Sequence, residues 1–197
     1  MKWLKLPPER TGIIARHWHN EGWYEHRMLS HIQALRIEGA YLDVGANIGN
    51  HTVFFASECP STHVYAVEPS DEAIGVLNEF AELNDLASKI TVIPYAASDS
   101  DTIEVEFPRK GVVPFKAVKL DEVVAPGIKL VKMDIEGAEP SALRGMTRIL
   151  AEDQPRLFIE AHTDEDMAAT LSVIGPLGYR ATGNVFNASP TYEFVLD

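Results

Sequence analysis

Hydrophobic and polar positions follow two different periods along this chain. Tyr24, Met28, Ile32 and Leu35 recur at spacings of four, four and three, which predicts the apolar face of an N-terminal helix. From residue 40 onward, short apolar runs of strand length are separated by segments of helical length. The runs that predict core strands are residues 41–44, 62–67, 90–93, 130–134 and 156–161.

The segments between these runs carry local signals for helices and turns. Ser70 is a good helix N-cap, Thr163 and Asp166 have the spacing of a capping box, and Pro140 suits the first turn of a helix. Residues 107–114 contain two prolines and a glycine, which predicts a loop between short strands. The region between the third and fourth core strands is short, so little material is expected there for a substrate lid.

Strands that alternate with helices predict a mostly parallel sheet with helices on both faces. Residues 178–197 offer two further strands, which we expect to add an antiparallel C-terminal hairpin. We expect one domain over residues 1–197, made of an N-terminal helical cap at 1–38 and an α/β core at 39–197. Ligands of such sheets bind beyond the carboxyl ends of the strands, so the residues at those ends are the candidates for chemistry.

Composition narrows the classes of partner. The 197 residues include 17 basic and 29 acidic side chains, for a net charge of −12, so a nucleic-acid partner is not expected. No window approaches the roughly 18 apolar residues of a membrane span, and no membrane partner is expected. Cys59 has no second cysteine to pair with, which fits a cytoplasmic protein.

The end of the first strand carries a D-x-G-x-x-x-G pattern at residues 43–49. Its two glycines leave room for a ligand close to the backbone, and the following helix offers N–H groups to an anion. Glu68 ends the second strand, where an acidic side chain can bind a ribose diol. A dinucleotide site would need G-x-G-x-x-G, and Ala46 and Asn47 break that pattern. The pair of strand ends therefore favours a nucleoside with a carboxylate and no pyrophosphate, such as S-adenosylmethionine.

Four stretches in order resemble the FkbM family of S-adenosylmethionine-dependent methyltransferases. They are D-V-G-A-N-I-G-N-H-T at 43–52, V-Y-A-V-E-P at 64–69, L-D at 120–121 leading to V-K-M-D-I-E-G-A-E at 131–139, and P at 155 with F-I-E-A-H at 158–162. The resemblance covers roughly residues 38–162. It implies a Rossmann-like seven-stranded methyltransferase sheet and O-methylation of a hydroxyl on a sugar or another small-molecule acceptor.

The strand ends and the resemblance together indicate which residues bind S-adenosylmethionine. These are Asp43, Gly45, Ala46, Asn47, Gly49, Thr52, Glu68, Pro69, Ala97, Ser98 and Asp134. We expect Asp43 to face the ammonium or sulfonium end of the cofactor. Many related enzymes have an acidic residue after the third strand where this chain has Ala97, so adenine would rest on the backbone near residues 96–98 rather than on Asp99.

The expected catalytic residues are Asp134, Glu136 and His162, which follow the fourth and fifth core strands. A carboxylate or imidazole there could take the proton of the acceptor. Strand alternation places Lys132 on the face of Asp134, so a structural ion pair at a turn is the alternative role of the two acids. Glu160 shares a face with His162, and the alternative for His162 is a surface histidine that caps a turn. Asp134 with Glu136 could hold Mg²⁺, but two acids do not make a metal site, so no metal is predicted.

Two further groups have less specific roles. The first group is an aromatic cluster near the N-terminus, with the members His17, Trp18, His19, Trp23 and Tyr24. Such a cluster more often packs a terminal helix onto the core, although it could also form a wall over the acceptor. Arg109 and Lys110 could contact an anionic acceptor or belong to a solvated loop.

Three other functions compete with this interpretation. The glycine spacing opposes a nicotinamide-dependent oxidoreductase, and the acidic residues after the fourth strand oppose a cofactor-binding module without catalysis. A nucleic-acid methyltransferase is opposed by the acidic charge and by the lack of an N-P-P-Y-like motif after the fourth strand. The acceptor and the oligomeric state are left open by the sequence.

Overall fold

A computed structural model describes residues 4–7, 13–20, 22–107 and 111–196. Within these residues the helices are α1 (Ile13–Asn20), α2 (His26–Leu35), α3 (Asn50–Glu58), α4 (Asp71–Leu83), α5 (Leu120–Val123), α6 (Glu139–Arg144) and α7 (Asp164–Ile174). The strands are β1 (Gly39–Val44), β2 (Ser61–Val67), β3 (Ile90–Ile93), β4 (Ala96–Ala97), β5 (Thr102–Phe107), β6 (Gly111–Val118), β7 (Ile128–Met133), β8 (Arg156–Glu160), β9 (Tyr179–Phe186) and β10 (Thr191–Leu196). No helix in the described part of the chain is long and apolar enough to cross a bilayer.

Seven strands form the main sheet, in the order β3-β2-β1-β7-β8-β10-β9. The first five are parallel, and β10 runs antiparallel to both β8 and β9. The predicted seven-stranded sheet with an antiparallel C-terminal hairpin is confirmed. The chain order reverses between β1 and β7, which places the ligand-binding crevice of this fold at the carboxyl ends of those two strands.

One side of the sheet is covered by α2 and α3. Met28 and Ile32 of α2 and Phe55 of α3 are fully buried against Tyr41 of β1 and Leu130 of β7. The predicted N-terminal helix therefore packs directly on the sheet. Burial of each such side chain contributes roughly 1.5–3 kcal/mol.

The other side of the sheet packs against α6 and the turn that follows it. Leu42 of β1 and Val131 of β7 face this side, because neighbouring residues of a strand point to opposite faces. They meet Leu143, Met146 and Leu150, all fully buried. Core packing on both faces holds the ends of β1 and β7 in fixed positions.

The predicted loop at residues 107–114 is wrong in its second half. Residues 111–114 begin β6, which pairs antiparallel with β5, and Glu104 lies opposite Pro114. Pro114 is tolerated because β4, the other neighbour of β6, pairs only with Ala117 and Val118. Arg109 and Lys110 lie outside the described residues.

Candidate active site

A pocket of about 540 Å³ opens at the carboxyl ends of the central strands. Its walls are formed by Ile14, Tyr24, Glu25, Val44, Gly45, Ala46, Asn47, Asn50, His51, Val67, Glu68, Pro69, Ser70, Ala73, Tyr95, Ala96, Ala97, Ile103, Val113, Phe115, Lys132, Asp134, Ile135, Glu136, Glu160 and Ser189. Ile103, Val113 and Phe115 belong to the β5–β6 hairpin. The segment expected to be too short for a lid therefore supplies an apolar wall.

Gly45 is required by the packing of the strand ends. Its φ is +82°, and a Cβ atom built on it would collide with the backbone carbonyl oxygen of Asp134. Gly49 has φ +92°, and its Cβ would lie 3.0 Å from Cγ of Leu77 in α4. Gly45 also lines the pocket, whereas Gly49 does not. Both glycines make room for protein atoms. Room for a ligand stays a prediction for Gly45, which lines the pocket, and is not supported for Gly49.

The backbone amides of residues 45–49 already have acceptors within the protein. The first two donate to the carbonyl oxygen of Val67, and that of Gly49 donates to Ala46. The amide of Asn47 donates to Oε2 of Glu68 at 3.0 Å, and that of Ile48 to the Asn47 side chain. The turn is therefore held by its own hydrogen bonds, and the amides of residues 45–49 are not free to bind an anion. Binding of an anion by the amides of the following helix stays a prediction.

Glu68 lies on the pocket wall at the end of β2. Its Oε1 accepts a hydrogen bond from the amide of Ser70 at 2.9 Å, and its Oε2 accepts the one from Asn47. Burial raises the pKa of Glu68 above its ordinary value, and the two amide hydrogen bonds partly oppose that rise. A carboxylate has about four lone-pair sites, so about two remain for a ligand. Pro69 lines the wall beside it.

Two predicted cofactor contacts lie behind the pocket wall. Oγ1 of Thr52 donates to Oδ2 of Asp43 at 2.6 Å, and both residues are fully buried. Oδ1 of Asp43 lies 3.9 Å from Nζ of Lys132. The expected contact of Asp43 with a cationic ligand is corrected, because its charge faces Lys132 and Thr52 inside the protein.

At the end of β4, one predicted cofactor contact also lies on the pocket wall and another lies behind it. Ala97 lines the pocket, but Ser98 is buried behind it, where its hydroxyl lies 2.9 Å from that of Ser141. Oδ1 of Asp99 accepts from the hydroxyl of Ser141, and Oδ2 accepts from Nε of Arg144, each at 2.6 Å. Asp99 thus joins β4 to α6, which fits the expectation that it does not bind adenine.

A buried lysine organises the opposite end of the pocket. Nζ of Lys132, on a side chain only 2% exposed, lies 3.4 Å from Oδ2 of Asp134, so the predicted shared face is confirmed. Burial lowers the pKa of Lys132, but the carboxylates of Asp134 and Asp43 outweigh that effect and leave it above its ordinary value. Burial also raises the pKa of Asp134, yet Lys132 and a hydrogen bond from Glu160 bring it below its ordinary value. Asp134 is therefore held as a charged carboxylate on the pocket wall.

Glu160 and His162 lie together beyond the end of β8. Nε2 of His162 is 3.1 Å from Oε2 of Glu160 and 3.8 Å from Oε2 of Glu136. Burial and the neighbouring Asp134 raise the pKa of Glu160. His162 is 42% exposed and does not line the pocket, whereas Glu136 and Glu160 do. His162 is thus placed to act through these two carboxylates.

A second histidine–carboxylate pair, which the sequence did not predict, lies on the pocket wall. Nε2 of His51 lies 2.9 Å from Oε2 of Glu25, with side chains 6% and 8% exposed. Glu25 has φ +58°, and Asn47 and Glu136 also have positive φ; these three pocket residues are among seven such non-glycine residues in the described chain. Strained backbone of this kind often marks functional sites. The position of His51 just after the glycine turn was its only sequence signal, and Glu25 had none.

Most of the predicted aromatic wall is core. The Trp18 ring lies 4.6 Å from that of Phe80, and the Trp23 ring lies 5.2 Å from that of Phe54. Of the cluster, Tyr24 alone lines the pocket among residues whose side chains are described; the side chain of His19 lies outside the described part.

Comparisons with known proteins agree with this architecture. Residues 43–181 match the family model described as the methyltransferase FkbM domain. The chain is 27% identical over 140 residues to the hexuronic acid methyltransferase AglP of Haloferax volcanii, covering 63% of this chain and 56% of that protein. The crystal structure of methyltransferase FkbM from Methylobacillus flagellatus matches with a TM-score of 0.64 and 25% identity, over 81% of this chain and 44% of that one.

A more distant structure shares the fold alone. TrmK of M. capricolum, solved with S-adenosylhomocysteine, matches with a TM-score of 0.52 and 13% identity, over 85% of this chain and 66% of that one. The chain spans about half the length of AglP and of the Methylobacillus protein. Because the family model covers more than half of the described sequence, from the first strand end to the C-terminal hairpin, this chain belongs to the FkbM methyltransferase family.

Proposed function

We propose that this chain transfers the methyl group of S-adenosylmethionine to a hydroxyl oxygen of a sugar or another small metabolite. One observation carries the proposal: a single pocket joins Glu68, which can bind a nucleoside, to a wall of carboxylates from Asp134, Glu136 and Glu160. The first feature suits the ribose of the cofactor. The second suits a cationic methyl donor and an acceptor hydroxyl.

The residues on the pocket wall fit the cofactor at both ends. The free lone pairs of Glu68 would accept hydrogen bonds from the ribose diol. Tyr95, Ala96 and Ala97 offer an apolar surface for adenine, next to the apolar residues of the β5–β6 hairpin. S-adenosylmethionine supplies a methyl group on a positively charged sulfur, which leaves as a neutral thioether when the methyl group is transferred. The acidic wall at Asp134 favours such a charge.

We assign to Asp134 the role of the base that takes the proton of the acceptor hydroxyl. Its carboxylate lies on the pocket wall, and Lys132 holds it in place at 3.4 Å. It would accept the hydrogen bond of the acceptor hydroxyl and so align the oxygen with the methyl group. As the new C–O bond forms, the proton of that hydroxyl would pass to Asp134. Glu136 would contact the acceptor from the rim, and His162 would position Glu136 and Glu160.

The relative AglP makes uronic acids the first acceptors to test. The pocket contains the carboxylates of Glu25, Asp134 and Glu136, which repel a second carboxylate. A uronic acid would therefore approach with a hydroxyl edge, and the product would be a methyl ether rather than a methyl ester.

The proposal is tested with S-adenosylmethionine labelled in its methyl group and a panel of uronic acids and neutral sugars. We expect saturable binding by calorimetry and a labelled product that resists mild alkali, as an ether does and an ester does not. Asp134→Asn should lower turnover by about 10²–10⁴-fold. Cofactor affinity should fall much less, by the loss of one charge that faces the cationic donor. The exposed Glu165→Gln in α7 is the control.

Two outcomes would contradict the proposal. A chain that binds no S-adenosylmethionine has another cofactor or none. A chain that binds it but methylates nothing in the panel, at any pH or protein concentration, acts as a binding module. An alkali-labile product would mean that the chain is a methyltransferase that methylates a carboxylate rather than a hydroxyl.

A further inference from the structure

Three potential metal ligands converge at the rim of the pocket, although the sequence predicted no metal. One carboxylate oxygen each from Glu136 and Glu160 and one ring nitrogen of His162 lie within 4.8 Å of one another. The nitrogen is 3.1 Å from Glu160 and 3.8 Å from Glu136. Ligands at about 2.1 Å from one ion lie roughly 3.0–3.4 Å apart, so only the exposed Glu136 needs a small adjustment.

The second observation is an unsatisfied buried oxygen. The Glu160 side chain is only 5% exposed, and its Oε2 has no hydrogen-bond partner among the described residues. His162 approaches it at 3.1 Å without the geometry of a hydrogen bond. Leaving a carboxylate oxygen without a hydrogen bond in the interior is costly, and such an atom calls for a bound ion or water. Oε2 of Glu160 lies in the same cluster as the ligand atoms of Glu136 and His162.

The fold explains why these side chains meet. Glu160 and His162 are two residues apart at the end of β8, so extended backbone turns both to one side. Glu136 lies in the turn after β7, the parallel neighbour of β8, with φ +56°. Adjacent parallel strands end at the same edge of a sheet, which brings the two turns together.

We propose that Glu136, Glu160 and His162 bind one divalent cation of the Mn²⁺ or Zn²⁺ kind. Two carboxylates and an imidazole suit borderline cations better than Mg²⁺ or Ca²⁺, which prefer oxygen ligands alone. Three protein ligands leave coordination positions open, and two of these ligands line the pocket. An ion there would sit beside the acceptor hydroxyl and favour its loss of a proton. That last role rests on the proposed function; binding of the ion does not.

The test begins with the 197-residue chain, freed of metal by chelation and dialysis. Calorimetry with ZnCl₂ and electron paramagnetic resonance with MnCl₂ should each show one ion per chain. His162→Ala and Glu136→Gln should each weaken binding at least about 10-fold. Both residues are exposed, so these variants should fold; Glu160→Gln is informative only if its thermal melting matches that of the wild type.

His31→Ala is the matched control. Nε2 of His31 also lies 3.1 Å from a buried glutamate, Glu193, but that carboxylate is already bound by Thr182, Asn184 and Arg156. Ion affinity should be unchanged in this variant. The proposal is overturned if the wild type shows no stoichiometric binding, or if Glu136→Gln and His162→Ala bind the ion as the wild type does.

The catalytic part is separated by measuring methyl transfer with and without the ion. Transfer that rises when the ion is restored supports its role at the acceptor. Transfer that is equal in chelated protein overturns that role and leaves the proposed function intact. Stoichiometric ion binding without any methyl transfer supports the site and contradicts the proposed function.

Discussion

Oε2 of Glu68 accepts a hydrogen bond from the backbone amide of Asn47 at 3.0 Å, which ties the end of β2 to the turn that follows β1. The other oxygen of the same carboxylate holds the amide of Ser70 at the start of α4. One side chain on the pocket wall therefore fixes two loops and still has lone pairs to offer a ligand. Its loss should be felt in both stability and binding.

Glu68→Gln tests this double role. The amide can replace only one of the two acceptor oxygens, so its NH₂ group would face a backbone N–H. We expect S-adenosylmethionine affinity by calorimetry to fall by about 1.5–3 kcal/mol, the scale of hydrogen bonds to a charged group. The melting temperature without ligand should also fall. Glu72→Gln, exposed in the first turn of α4, should change neither, and unchanged affinity in Glu68→Gln would remove Glu68 from the cofactor site.

Gly45→Ala should destabilise the protein rather than merely narrow the pocket. Positive φ costs a residue with a side chain about 1–2 kcal/mol, and overlap with the carbonyl of Asp134 adds strain. Urea denaturation should show a total loss of at least about 3 kcal/mol. Gly75→Ala is the control: its Cβ meets open space within α4, so a gain of about 0.5–1 kcal/mol is expected. Equal stability of the Gly45 variant and the wild type would mean that this turn can shift.

Lys132→Met should unfold the protein readily because it leaves Asp43 and Asp134 without their cation. Removing one partner of a buried ion pair costs about 3–5 kcal/mol. Lys129→Met is the control on the same strand: that lysine is exposed and only donates to a carbonyl of Asp153, so a loss of about 1 kcal/mol or less is expected. If urea denaturation gives similar losses of unfolding free energy for the Lys132 and Lys129 variants, the charge of Lys132 does not stabilise the fold more than that of an exposed lysine.

Asp99→Asn should weaken the link between β4 and α6 in a pH-dependent way. The hydrogen bonds from Ser141 and Arg144 lower the pKa of Asp99 to about 2, below the roughly 3.9 of an unfolded chain. A lowered pKa stabilises the fold above about pH 4, and this contribution disappears as the pH falls toward 2. Because the site is solvent-exposed, the difference in unfolding free energy should stay below about 1 kcal/mol.

Urea titrations at pH 6 and pH 3 check this prediction. The difference between Asp99→Asn and wild type should shrink at the lower pH, and cofactor affinity should not change. Asp101→Asn, an exposed neighbour, is the control and should match the wild type at both pH values. A pH-independent difference would assign the effect to the shape of the amide rather than to the charge.

Local periodicity and capping chemistry were enough to predict most of the frame. The strand at 90–93 is found with those bounds, and the capping box of Thr163 and Asp166 is present with both of its hydrogen bonds. These features depend on residues only a few positions apart, so the local sequence is enough to predict them. Short strands were predicted on both sides of residues 107–114, but two prolines and a glycine made the predicted loop too long. Whether Pro114 is tolerated in a strand depends on which strand lies beside it.

The sequence by itself determined the sheet, its strand ends and the candidates that lie on them, because alternation fixes the side of a strand from which each residue projects. Tertiary structure decided what each of those residues meets. In the folded chain Asp43 faces Lys132, and the carbonyl of Asp134 fills the space beside Gly45. His51 lies next to Glu25. Contacts between elements distant in sequence leave no periodic trace, since they depend on how helices and hairpins pack around the strand ends.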